Sequence, residues 1–149
     1  MKIETRFFGK QEILDDKIIY FEEGIPGFES LHKFAYIDSE EGPFNYLQSI
    51  EQKEVCFIIA DPHEIMPDYA PTINESYFEK LGGGENEDFG MFGVVVLKKE
   101  FKESTINLAG PILINKKTKK AVQVITEEKK YTTKYKFAEC ISVEEGLIC

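Results

Sequence analysis

Short apolar segments rich in Ile, Val, Phe and Tyr, each closed off by Gly, Pro, Asp or Asn, recur along nearly the whole chain. Branched and aromatic side chains in short runs favour pleated backbone, and turn formers at both ends leave little room for helices of ordinary length. The candidate strands are Ile3–Phe8, Ile18–Phe21, Phe34–Asp38, Phe44–Ser49, Val55–Ala60, Phe92–Leu97, Ile106–Ile114, Ala121–Ile125 and Tyr131–Phe137. Phe57–Ala60 and Val94–Leu97 are continuously apolar, as strands covered on both faces are. Thr132, Lys134 and Lys136 instead alternate with Thr133, Tyr135 and Phe137, which leaves one face wet. The pattern predicts an all-β fold, a single antiparallel barrel-like domain with one short helix, because closure removes edges that would pair with other chains. A two-sheet β-sandwich is the alternative.

The one helix is expected where Thr72 and Glu75 form a capping-box pattern and Ile73, Tyr77, Phe78 and Leu81 recur near helical spacing until Gly82. Residues 82–88, three glycines followed by an acidic stretch, then read as a mobile loop. Further on, Pro111–Ile114, the polar turn Asn115–Lys120 and Ala121–Ile125 read as a hairpin.

A chain of 149 residues, 42% of them apolar, can bury one core without a disulfide or a metal. Cys56, Cys140 and Cys149 are odd in number and widely spaced, which suits neither a disulfide framework nor a zinc site. No stretch has the apolar length of a signal peptide or a membrane span, so the expected location is the cytoplasm. The formal net charge is −9 and unevenly spread: residues 1–100 carry 21 acidic and 9 basic side chains, residues 101–149 carry 6 and 9. An acidic surface repels phosphate backbones, which argues against direct nucleic-acid binding, and it attracts basic proteins.

Reactive residues are scarce. Of the two histidines, His63 lies in Asp61-Pro62-His63-Glu64-Ile65-Met66-Pro67-Asp68, a polar turn shaped by two prolines. Cys56 opens an apolar strand and is expected to behave as a small hydrophobe. Neither a nucleophile elbow nor a phosphate-binding loop is present, and Asp15-Asp16 and Glu40-Glu41 fall in polar stretches. No catalytic, cofactor or metal site is expected; a small enzyme or ligand carrier with a site around Asp61–Asp68 is the alternative. Gln48, Asn107 and Asn115 stand within or at the ends of strands, where a buried amide must find partners and so ties backbone together.

Five blocks in order resemble the FliW family of flagellar assembly factors: Gly24-Ile25-Pro26-Gly27-Phe28, Pro43–Ser49, Phe57–Pro62 followed by Pro67-Asp68-Tyr69, Asn107–Asn115, and Ala121-Val122-Gln123. The resemblance covers residues 1–137 as one domain and leaves Ala138–Cys149 as a tail of unknown role. It implies a monomer when free, a protein without catalytic machinery, cofactor or membrane contact, and two protein partners. One is flagellin, held in the cytoplasm; the other is the RNA-binding translational regulator CsrA, whose repression of the flagellin message is relieved on capture. For CsrA the expected contacts are Asp61, Asp68 and Tyr69, and for flagellin an apolar groove near Phe44, Tyr46 and Phe89.

Overall fold

Strands form over Lys2–Thr5 (β1), Gly9–Glu12 (β2), Ile18–Phe21 (β3), Lys33–Asp38 (β4), Phe44–Ser49 (β5) and Cys56–Ala60 (β6). They continue with Phe89–Val96 (β7), Thr105–Ile106 (β8), Ile112–Asn115 (β9), Lys120–Gln123 (β10) and Tyr135–Lys136 (β11), with one α-helix, Glu75–Lys80 (α1), before β7. The computed structural model describes residues 1–39 and 42–137; Glu40, Glu41 and the tail 138–149, with Cys140 and Cys149, lie outside the described residues.

Seven strands close a barrel in the order β7-β6-β5-β4-β3-β10-β9, the ring sealed where Phe89–Phe92 of β7 pairs with Ile112–Asn115 of β9. Every seam is antiparallel except one. β10 runs parallel to β3, with Ala121 opposite Phe21, because the β9–β10 hairpin reaches the first barrel strand from the far end of the chain.

Alternation along each strand decides what fills the interior. Every barrel strand sends side chains to one cluster, among them Phe21, Phe34, Leu47, Ile59 and Ile112, all fully buried. Burying each contributes roughly 1.5–3 kcal/mol. Phe21 and Phe34 meet edge to face at 5.3 Å, an arrangement favoured by the ring quadrupoles.

Three covers dress the outside, and they account for the apolar run Phe57–Ala60; the expectation that Val94–Leu97 is covered on both faces fails at its end, where Val96 is 51% and Leu97 43% exposed beyond the covers. The β1–β2 hairpin lays Ile3 and Ile13 over Ile18 and Ala35. The turn after β6 and the segments around β8 and β11 bury Ala60, Val95 and Ile106 beneath Ile65, Tyr69, Tyr131 and Phe137. Leu81 and the half-buried aromatics Tyr77 and Phe78 pack over Leu113, Val122 and Val124.

The Gly24–Phe28 motif stoppers one end of the barrel. Ile25 sinks into the interior cluster, and the Phe28 ring stands 5.2 Å from Phe57. The tight reversal needs glycine at position 24: its φ is +70°, and a Cβ there would lie 2.6 Å from the Glu29 Cα. The opposite mouth stays open above Tyr36 and Phe92, whose rings are 5.8 Å apart.

Several sequence expectations are corrected. The segment Ile106–Ile114 is two strands, because Asn107 Oδ1 accepts from the amides of Ala109 and Gly110 and turns the chain. Asn74, not Thr72, caps the helix, accepting from Ser76 N; the Thr72 amide instead donates to Glu128. Residues 82–88 are tethered rather than loose: Asn115 Nδ2 donates to Gly83 O, Asn86–Asp88 form a 3-10 turn, and Lys117 pairs with Asp88.

Candidate functional site

Thr5-Arg6-Phe7-Phe8-Gly9 turns the first hairpin, and its aromatic pair is left in solvent. Gly9 takes φ +66°, the Thr5 hydroxyl donates to Gly9 O and accepts from Phe8 N, and the tip is thereby locked locally. Phe7 is 48% exposed and Phe8 41%. Phe8 meets Tyr46 of β5 edge to face at 4.8 Å, Phe7 lies 6.1 Å from the same ring, and the Arg6 guanidinium sits 5.1 Å over Phe7.

The tip is docked on the barrel by Gln48, which is fully buried. Its Oε1 accepts from Arg6 N at 2.9 Å, and its Nε2 donates to the carbonyls of Ser49, Lys53 and Val55. Arg6 Nη1 adds a bond to Glu54 O. A rigid, solvent-facing aromatic cluster on a satisfied polar anchor has the make-up of a binding hot spot, since little ordering remains for a partner to impose.

Beside this patch Cys56 is half-buried; burial pushes its thiol up to about 11, with Arg6 pulling the other way. At ordinary pH it stays a neutral, weakly nucleophilic thiol.

The Asp61–Tyr69 turn forms a second exposed feature. Asp61 caps a 3-10 turn, its Oδ1 accepting from His63 N at 2.9 Å and lying 3.0 Å from His63 Nδ1. His63 Nε2 lies 2.9 Å from Tyr69 O, so the ring spans the turn between Asp61 and Tyr69. Among the described residues no group of three or more His, Cys, Asp or Glu is placed to hold a metal ion. Asp61 and Asp68 are exposed carboxylates.

Tyr69, expected at a partner surface, is turned inward and only 2% exposed. Its hydroxyl donates to Leu108 O at 2.6 Å, and its ring packs edge to face on Tyr131 at 4.7 Å. Burial first, then Tyr131 and Glu128, pushes that hydroxyl well above the ordinary tyrosine range. Its role is to pin the turn that displays the two aspartates.

Nor do Phe44, Tyr46 and Phe89 form one groove. Phe44 stacks on Phe137 at 6.2 Å within the outer cluster, and Phe89 packs on Phe78 at 4.9 Å beside the helix. Only Tyr46 belongs to the exposed patch, in company with Phe7 and Phe8, which the sequence reading had absorbed into a strand. The available signal is Gly9 directly after the two aromatics: a turn glycine there places Phe7 and Phe8 at a hairpin tip rather than inside a strand.

The fold and surface define a filled β-barrel that presents an ordered aromatic patch and an acidic turn on its outside. Residues 2–137 match the profile of the family described as FliW protein. The chain is 36% identical over 143 residues to the flagellar assembly factor FliW of Caldicellulosiruptor bescii, covering 96% of this chain and 94% of that one. It is 43% identical over 133 residues to the protein of that name from Thermotoga neapolitana, covering 88% and 89% of the two chains. A crystal structure of the flagellar assembly factor FliW superposes with a TM-score of 0.83 at 31% identity, covering 91% of this chain and 96% of that one. The chain belongs to the FliW family of flagellar assembly factors. None of the helices among its described residues is long and apolar enough to cross a membrane.

Proposed function

We propose that this protein is a non-enzymatic partner switch acting in the cytoplasm. It holds flagellin, and once flagellin is exported the freed protein captures CsrA and relieves its repression of the flagellin message. The observation that carries this reading is the aromatic tip, Phe7 and Phe8, exposed over the half-buried Tyr46 of β5 and anchored by Gln48 on a member of the flagellar assembly factors. Apolar anchors of this kind suit the apolar stripe of an amphipathic helix, the form expected of the terminal regions of flagellin.

CsrA meets the protein elsewhere, at the turn carrying Asp61 and Asp68. The first 100 residues are net −12, and such a field steers a basic RNA-binding protein toward them. The working unit is the domain of residues 1–137, a monomer when free. Occupancy by one partner lowers affinity for the other, and by linkage the effect is reciprocal.

Calorimetric titration of the purified protein tests the reading directly. Saturable binding is expected with intact flagellin and with CsrA, and none with flagellin stripped of its terminal segments. Undiminished binding of the truncated flagellin, or no binding of CsrA, contradicts it.

A further inference from the structure

The open mouth of the barrel lies away from both surfaces assigned above, and it holds a cavity of about 250 Å³. Its floor is apolar, made by Ile19, Ile114, Phe92 and the Tyr36 ring. Its rim is charged. Lys17 Nζ lies 3.3 Å from Asp38 and 5.6 Å over the Tyr36 ring, so that ammonium is already matched. Asp16 completes the acidic side of the rim, while Lys116 and Lys119 line it from the β9–β10 turn with no ion pair among the described residues. Over the whole rim three ammonium groups, Lys17, Lys116 and Lys119, stand with two carboxylates, Asp16 and Asp38, and this excess of one positive charge above an apolar floor, on a chain of net charge −9, creates a local preference for an anion with an apolar body.

A second observation points to the same place. Lys119 is the only non-glycine among the described residues with positive φ, +65°. A long side chain is disfavoured in that conformation, where glycine or asparagine would sit more easily. The surrounding bonds leave it no choice: Lys119 N donates to Asn115 O and its own carbonyl accepts from Tyr20 N, both at 2.8 Å. Asn115, fully buried, fixes the rest of the turn by accepting from Lys117 N and Thr118 N and donating to Leu81 O. Those bonds fix the Lys119 Cα at the cavity rim, so its side chain starts beside Lys116 at the edge of the apolar floor.

We propose that this mouth is a binding site for a small carboxylate with a single-ring or branched apolar body. The apolar group rests on Phe92, Tyr36 and Ile114, and the carboxylate is received by Lys116 and Lys119. Size fits: an apolar cavity of about 150 Å³ accommodates one benzene ring, which leaves room here for a short acid-bearing chain. The carboxylate can come from a free small molecule or from the last residue of a protein chain.

Amide-resolved NMR titration of the full chain tests this with 3-phenylpropionate, its neutral amide 3-phenylpropanamide, and the peptide acetyl-Gly-Gly-Phe with a free carboxyl end. Saturable shifts are expected at Ile19, Tyr36, Phe92 and Ile114 with the acid, and binding of the amide weaker by about tenfold, the loss of one charge-assisted contact. Tighter binding of the peptide assigns the site to chain ends, and weaker binding assigns it to free carboxylates. Lys119→Gly separates function from structure, because it relieves the strained turn and so keeps or raises Tm while weakening the acid about tenfold. No saturable shifts at these residues, equal affinity for acid and amide, or unchanged affinity in a folded Lys119→Gly variant overturns the proposal.

Discussion

Gln48 Oε1 accepts a hydrogen bond from Arg6 N at 2.9 Å, joining a fully buried amide in β5 to the tip of a hairpin 42 residues earlier in the chain. That bond ties the hairpin tip to the outer face of β5, the face that also carries Tyr46. Together with the Nε2 bonds to the carbonyls of Ser49, Lys53 and Val55, it makes Gln48 the anchor of the hairpin tip.

Gln48→Ala removes four bonds, strands buried backbone groups and opens a cavity, so a loss of about 3 kcal/mol is expected. Urea unfolding measures it. A loss below about 0.5 kcal/mol, the scale of an ordinary surface substitution, contradicts the anchoring role.

Phe7→Ala with Phe8→Ala removes exposed rings and should leave the urea midpoint nearly unchanged. Flagellin affinity should fall by about 2 kcal/mol or more, roughly thirtyfold, as for hot-spot aromatics, while CsrA affinity is retained. Equal losses for both partners would mean that the two share the patch.

Tyr36 gives the fold an alkaline limit. Burial, followed by the Asp38 carboxylate, pushes its hydroxyl up to about 12 from 10. Below pH ~10 folded and unfolded chains both keep the proton, so this group adds no pH dependence. Between pH ~10 and ~12 the unfolded chain releases it first, and stability falls as pH rises. Tyr36→Phe should flatten that decline in urea midpoints, and an undiminished decline would place its origin elsewhere.

Local pattern made β3 and β5 legible to the residue, because their apolar runs are bounded by charge or by Gly-Pro and need no distant partner to be recognised. The closed barrel followed from the number of such runs. Features set by long-range contact were not legible. β2, Gly-Lys-Gln-Glu, has no apolar side chain and is a strand only because β1 lies beside it. The helix began later than its capping-box pattern suggested because Thr72 is drawn to Glu128, 56 residues away. The parallel seam joins Ala121 to Phe21 across 100 residues, and no local signal encodes it.

The candidate surface divides the same way. Asp61 and Asp68 could be read as exposed from their polar, proline-bounded turn, whereas Tyr69 follows Asp68 in the same turn yet is buried, because Leu108 and Tyr131 arrive from the other end of the chain to receive it. Phe7 and Phe8 look like core residues by composition. What leaves them outside is the hairpin geometry set by Thr5 and Gly9.

Competition between the two partners tests the central claim most directly. CsrA labelled with a fluorophore is bound to the purified protein, and intact flagellin is titrated in while anisotropy reports the bound fraction. The account predicts that flagellin drives anisotropy down to the value of free CsrA, and that CsrA in turn weakens flagellin binding by the same factor. Anisotropy that holds or rises as flagellin saturates, the sign of a stable ternary complex, would contradict partner switching.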